Sequence, residues 1–288
     1  MIIPTWLTFH LTNILLLAIS IAILFGIIWI MKFLRLKPSN DRSWVNDNAH
    51  TARVEFDGDQ VTIYNLRDFH WQTTRDYDEK WIVESFDLRS VKKIWLILEY
   101  FEPKYPQMAH TILSFEFEDG RRIACSIEVR REKGEKYHPI NGLFREYELI
   151  YVWGKEEDII GVRSRCRPKS VTHLFEGIVL GEDNHRNLLE SYLRRTNKLA
   201  ESPEWYNTLT NTCTTNIVQH VNEVYPKRVP GFISVLMPGL SPKMLAKQNL
   251  IVLNGTLEET LLRSKIDDRA ALWDETSDFG NFIRNVDA

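Results

Sequence analysis

The sequence predicts an α+β body, an antiparallel sheet with packed helices, carried behind one N-terminal transmembrane helix. Three observations lead there. Met1 to Met31 contains no Asp, Glu, Lys or Arg. Between Val54 and Trp153 short alternating runs are separated by turn residues, the mark of strands and hairpins. From Asn187 onward the apolar residues recur at helical spacing, and strands followed by helices read as α+β rather than as repeated βα units.

The run Ile14 to Met31, ILLLAISIAILFGIIWIM, would span about 27 Å as a helix, close to the hydrocarbon thickness of a bilayer. No cation precedes it and no small-residue cleavage site follows, so a membrane anchor fits better than a cleaved signal peptide. Lys32, Arg35, Lys37 and Arg42 come next, and taken alone they would keep that end in the cytoplasm. The expected organisation is residues 1–37 as anchor and basic flank, 38–225 as the domain carrying the chemistry, and 226–288 as a mostly helical tail.

Val54-Glu-Phe56 and Val61 to Tyr64 flank Asp57-Gly58-Asp59, giving a hairpin. Ser90 to Tyr100 reads as a central strand, His110 to Phe117 and Ile123 to Arg130 as a second hairpin around Glu118-Asp119-Gly120, and Phe144 to Trp153 as a further strand. Asn187 to Ala200 and Thr214 to Val224 are helices. Turns are expected at Pro230-Gly231 and Pro238-Gly239, then short helices over Pro242 to Gln248 and Leu257 to Leu262.

The chain has 288 residues, 44% hydrophobic and 26% charged, which excludes collagen, low-complexity disorder and a disulfide-bonded miniprotein. Thirty-six Lys and Arg against 39 Asp and Glu leave no basic excess, so nucleic acid is excluded as the main partner. Three widely spaced Cys without a C-x-x-C pair fit reduced thiols, and no phosphate loop or metal-ligand spacing occurs. No cofactor and no metal are expected.

Chemistry concentrates at Trp205 to Val218, where a loop rich in Asn and Thr becomes an apolar-striped helix. Asn211 or Thr212 can cap that helix, which puts Cys213 in its first turn, where free N–H groups and the helix dipole favour a thiolate. The competing reading is a small buried hydrophobe. A base decides between them. His220 lies seven residues along the same helix, about 10 Å away in rise, and cannot serve. His110 can. With Gly120 left-handed in a bulged turn, the second hairpin sets His110 opposite Glu128 and Ile112 opposite Ser126, a base with its orienting carboxylate. A register shifted by two would pair His110 with Arg130, and an exposed edge hairpin is the bland alternative. Asn65, Arg67 and Asp68 could bind an anionic substrate group, although fastening a loop is the simpler role. Arg163, Arg165 and Arg167 could face lipid headgroups.

Several stretches together resemble the Lnb N-terminal periplasmic domain family of bacteria: Asn40-Asp-Arg-Ser-Trp44, Tyr64-Asn-Leu-Arg-Asp-Phe69, Ala109-His-Thr-Ile-Leu-Ser-Phe115, Ser126-Ile-Glu-Val-Arg130, Tyr147-Glu-Leu-Ile150, and Trp205-Tyr-Asn with Asn211-Thr-Cys-Thr-Thr215. The His-before-Cys order is also similar to the permuted papain-like group of NlpC/P60 and lecithin:retinol acyltransferase relatives. The resemblance implies a permuted papain-like sheet, a periplasmic body on a bacterial inner membrane, and Cys213, His110 and Glu128 as the reactive set. It implies a membrane lipid or lipoprotein as substrate, and a membrane protein could supply helices that this chain lacks. Asn211, Thr212 and Ser126 are expected in supporting roles, with the Cys213 N–H as oxyanion donor. A cell-wall peptide amidase, or a lipid- or protein-binding module without catalysis, are the alternatives.

Overall fold

A computed structural model describes residues 5–181, 183–226, 229 and 237–285, without side chains at 5–12 and 32. The chain forms two compact units, Met1–Pro38 and Ser39–Ala288. The first is α1 (Thr5–Arg35), of which Asn13–Arg35 is long and apolar enough to cross a membrane.

The second unit is built on a mixed arrangement of strands and helices. Its strands are β1 (Arg53–Asp57), β2 (Gln60–Arg67), β3 (His70–Trp71), β4 (Tyr77–Asp78), β5 (Trp81–Asp87), β6 (Val91–Tyr100), β7 (Ala109–Phe117), β8 (Arg122–Arg130), β9 (Glu148–Lys155) and β10 (Val171–Glu176). Eight of them form one sheet in the order β1-β2-β9-β8-β7-β6-β10, with β5 on β2, while β3 and β4 pair separately. Every pairing in the large sheet is antiparallel except the single bridge from Arg67 to Gly154. The helices are α2 (Glu156–Ile159), α3 (Gly161–Cys166), α4 (Asn184–Glu201), α5 (Cys213–Val224), α6 (Ser241–Lys247), α7 (Leu257–Ser264), α8 (Asp267–Leu272) and α9 (Phe279–Arg284).

Both hairpins form where the turn residues place them. Gly58 and Gly120 are left-handed, at φ 61° and 84°, a region in which glycine carries no Cβ penalty. In the second hairpin Ile112 pairs with Ser126 and Glu116 with Arg122, the expected register. The strand expected from Phe144 begins only at Glu148, because residues 141–143 make a 3₁₀ turn and Arg145 is left-handed. Sequence reading passes over β5, β10, α2 and α3, whose four to seven residues give too few repeats for a period to show. The Pro230-Gly231 turn lies outside the described residues.

The sheet is covered on both faces, which is why the second hairpin is central and not an exposed edge. Leu113, Phe115, Cys125, Ile127, Tyr151 and Trp153 face Leu189, Tyr192 and Leu193 of α4 and Ile217 of α5. On the other face Ile97, Ile112, Ala124, Ile150 and Val152 pack against Ile159, Ile160, Ile266, Trp273, Phe279 and Ile283. Period-2 alternation produces these two sets directly. Polar groups on the second face are bonded: Ser114 Oγ donates to Glu156 Oε1 at 2.5 Å, and Arg284 pairs with the same carboxylate at 2.6 Å. That ion pair ties α9 to α2, so the segment after residue 237 is part of this unit.

Candidate active site

One end of the sheet, where β6 and β8 finish and β7 and β9 begin, opens into a cavity of about 390 Å³. Its lining includes His110, Glu128, Arg163, Tyr206, Thr212 and Cys213. The loop from Ser202 to Thr212 delivers the cysteine. Asn211 Nδ2 donates to the Trp205 carbonyl at 2.9 Å and Asn211 Oδ1 accepts from Asn216 at 2.8 Å, fastening the loop to α5. Thr212 is the N-cap. Its Oγ1 accepts from the Thr215 N–H while Thr215 Oγ1 accepts from the Thr212 N–H, a reciprocal box that stabilises a helix end by about 1 kcal/mol. Cys213 is therefore the first helical residue, and its own N–H and that of Thr214 have no partner within the helix.

His110, the second residue of β7, joins that helix end to a buried polar chain. Its Nε2 lies 2.7 Å from Ser126 Oγ and 3.4 Å from Glu128 Oε1, and Ser126 Oγ donates to Glu128 Oε1 at 2.6 Å. Ser126 thus stands between the imidazole and the carboxylate, closer than direct His–Glu pairing would place it. The imidazole and the Cys213 thiol, whose Sγ lies 3.7 Å from Thr214 Oγ1, line the same cavity. Arg163 from α3 reaches the same group: it donates to Glu128 Oε1, to Ser126 Oγ at 3.2 Å, and lies 3.1 Å from Glu99 Oε2. Arg167 completes the chain with bonds of 2.7 and 3.0 Å to Glu99.

The electrostatics follow from these contacts. Burial alone would push the Cys213 thiol up, but the charge of His110 and hydrogen bonds from His110 and Thr111 bring it down to about 6. Burial would likewise lower His110; the charges of Cys213 and Glu128 and hydrogen bonds with both raise it to about 10. Glu128 is half-buried, and although desolvation would raise it, the charges of His110 and Arg163 hold its carboxyl well below the ordinary range. The pair is favoured as thiolate and imidazolium. Cys125 has the opposite fate, pushed well up by burial, and the half-buried Cys166 is also raised. The competing picture of Cys213 as an inert apolar residue requires the behaviour that Cys125 shows.

The other sequence candidates serve to fasten loops or to pair with carboxylates, Arg163 and Arg167 doing so in the cavity wall. Arg67 is buried, with Nε 2.9 Å from Asp158 Oδ2 and Nη1 donating to the Asp47 carbonyl at 3.0 Å. Asn65 is left-handed at a strand irregularity and bonds the Thr51 carbonyl at 3.0 Å, and Asp68 pairs with Lys80 at 2.6 Å. All three fasten loops. Arg163 is buried at 3% exposure, which corrects its reading as a headgroup contact; Arg167 is tied to Glu99 and Arg165 to Glu275. Arg130 does not face His110: it stacks over Trp44 at 4.4 Å and donates to the Asn48 and Ala49 carbonyls. His220 is held by Tyr151 at 2.9 Å and Ser191 at 2.6 Å. Sequence reasoning missed Thr111, whose signal was its place beside His110, and Glu99, hidden within an apolar strand. Among the described residues no group of three or more His, Cys, Asp or Glu is arranged to hold a metal ion.

The family model for the Lnb N-terminal periplasmic domain matches residues 77–239, a span that contains His110, Ser126, Glu128, Arg163 and Cys213. This chain belongs to the Lnb N-terminal periplasmic domain family. No curated protein and no solved structure matches it. With a helix able to cross a membrane ahead of the Lnb N-terminal domain, the chain fits a single-pass, membrane-associated envelope protein.

Proposed function

We propose that this protein is a membrane-anchored thiol acyltransferase or hydrolase acting on lipid or lipoprotein acyl groups at the periplasmic side of the bacterial inner membrane. The observation that carries the reading is the coupling of a lowered Cys213 thiol to a raised His110 imidazole, backed by Ser126 and Glu128, at a helix N-terminus. The Cys213 thiolate attacks an ester carbonyl, forming the C–S bond, and the oxyanion is met by the free N–H groups of the first turn. Collapse breaks the C–O bond, and His110 gives its proton to the leaving alkoxide. Neutral His110 then takes a proton from an incoming amine or water, which attacks the thioester and frees the thiolate. Ser126 and Glu128 hold the ring and favour its charged form.

The acyl class is supported by a second cavity of about 110 Å³, lined by Leu96, Leu113, Ile217, Val221, Met244 and Leu245 among others, with Thr214 in the walls of both cavities. Dry apolar cavities of this order take small hydrocarbons, so a stretch of acyl chain fits beside the thiol. The test is turnover by the full chain in nanodiscs of phospholipid with a diacylated lipopeptide added. Lyso-product should accumulate, and Cys213→Ala and His110→Ala should each stop it. Equal product from Cys213→Ala would overturn the proposal.

A further inference from the structure

The surface around the mouth of the Cys213 cavity is unusually apolar for a soluble face. Phe101, Tyr105 and Met108 from the β6–β7 loop, Tyr137 and Ile140 from the β8–β9 loop, and Leu209 from the α4–α5 loop are 42–57% exposed. The three loops meet at the cavity: Phe101, Met108, Tyr137 and Pro139 line it, and Thr208 Oγ1 donates to the Pro139 carbonyl at 2.7 Å. Of the other large apolar side chains exposed on this unit, Phe144 belongs to the same β8–β9 loop and Met237 and Leu240 flank Pro238 of the cavity wall, while Val83, Leu180, Leu253, Leu262 and Leu272 are scattered over other elements, as is normal for any surface. A concentrated exposed apolar patch marks an interaction surface.

We infer that this rim docks into a phospholipid bilayer surface, so that the cavity takes its substrate directly from the lipid. Two features select a bilayer as the occupant. The chain carries its own membrane-crossing helix, which keeps a bilayer within reach of the body. The rim mixes Phe, Tyr, Met and Ile with Lys104, whose ammonium lies 5.0 Å over the Tyr105 ring and 2.7 Å from Glu102, and amphipathic aromatic rings beside polar groups suit the headgroup level. Delivery of substrate through the rim rests on the acyl-transfer reading; docking itself does not.

The test uses the full chain carrying Cys166→Ser and Cys213→Ala, in nanodiscs of phosphatidylcholine containing nitroxide-labelled lipid. A fluorophore is attached at Ile140→Cys, or at Leu209→Cys as an independent rim position, and at Leu272→Cys, 74% exposed, as the control. Quenching several-fold stronger at the rim positions than at 272 is expected. Equal quenching at all three, or none at the rim, overturns the inference and leaves a protein partner as the rim's occupant. Because the labelled protein lacks Cys213, quenching without turnover in the otherwise native chain would refute only the acyl-transfer reading. In the native background Ile140→Asp with Leu209→Asp should lower turnover of bilayer lipid about tenfold while a short-chain soluble thioester is cleaved as before.

Discussion

Replacing His110 by Ala should change the pH dependence of Cys213 alkylation in a way that no other thiol in the chain can imitate. With its thiol at about 6, Cys213 is about one tenth thiolate at pH 5, about nine tenths at pH 7 and essentially all thiolate at pH 9. Its iodoacetamide rate should therefore rise about tenfold from pH 5 to 7 and only about 1.1-fold from pH 7 to 9. A thiol at the ordinary value of 9.0 would gain about fiftyfold over that second interval. In His110→Ala burial is left without the charge that opposes it, so the rate should keep climbing through pH 9. The shape is a better readout than the rate at pH 7, because a lower pKa also weakens the nucleophile and cancels much of the gain in thiolate. Peptide mapping after timed labelling of the full chain in detergent separates Cys213 from Cys166. A wild-type rate that rises tenfold or more between pH 7 and 9 would refute the thiolate and imidazolium pair.

Four further outcomes follow from the same contacts. Turnover should rise with pH as Cys213 ionises near 6 and fall as His110 loses its proton near 10, a bell read from the pH–rate profile; a plateau extending above pH 10 would remove His110 as proton donor. Arg163→Met removes the cation shared by Glu99 and Glu128, but Glu99 keeps Arg167 and Glu128 keeps His110, so it should cost about 1–3 kcal/mol in denaturant unfolding. Arg67→Ala should cost more, about 3–5 kcal/mol, by stranding the fully buried Asp158, yet leave Cys213 alkylation of the folded protein unchanged; altered alkylation would bring Arg67 back as a site residue. Leu245→Trp fills the apolar cavity and should slow long-chain substrates far more than a two-carbon thioester, measured as the ratio of the two turnover rates.

How far the molecule could be read from its sequence depended on the range of the interaction involved. Local rules placed the hairpins, since Gly58 and Gly120 leave few alternatives, and a bulged turn at Gly120 favoured, over the register shifted by two, the pairing that brings His110 to Ser126 and Glu128. The Thr212 cap was visible because N-cap chemistry acts within one turn. Arg163 was not legible. Its neighbours in sequence are arginines that pair with Glu275 and Glu99, and only the packing of α3 against the sheet turns it inward between two carboxylates. The covering of the sheet's second face was equally hidden, because Ile266, Trp273 and Ile283 come from a segment more than a hundred residues away from the strands Ile112 and Ala124 occupy. Ser126, read as support, proved to be the nearest partner of His110 because alternate residues of one strand share a face with the imidazole.

The account stands most directly on a covalent intermediate. Full-length protein held in phospholipid nanodiscs without an acceptor amine should, after rapid acid quench, carry one acyl chain as a hydroxylamine-labile thioester on the peptide containing Cys213, seen by mass spectrometry. The adduct should be absent from His110→Ala. An acyl group found on another residue, or lyso-lipid formed with Cys213 replaced and no thioester trapped, would contradict the assignment of Cys213 as the nucleophile.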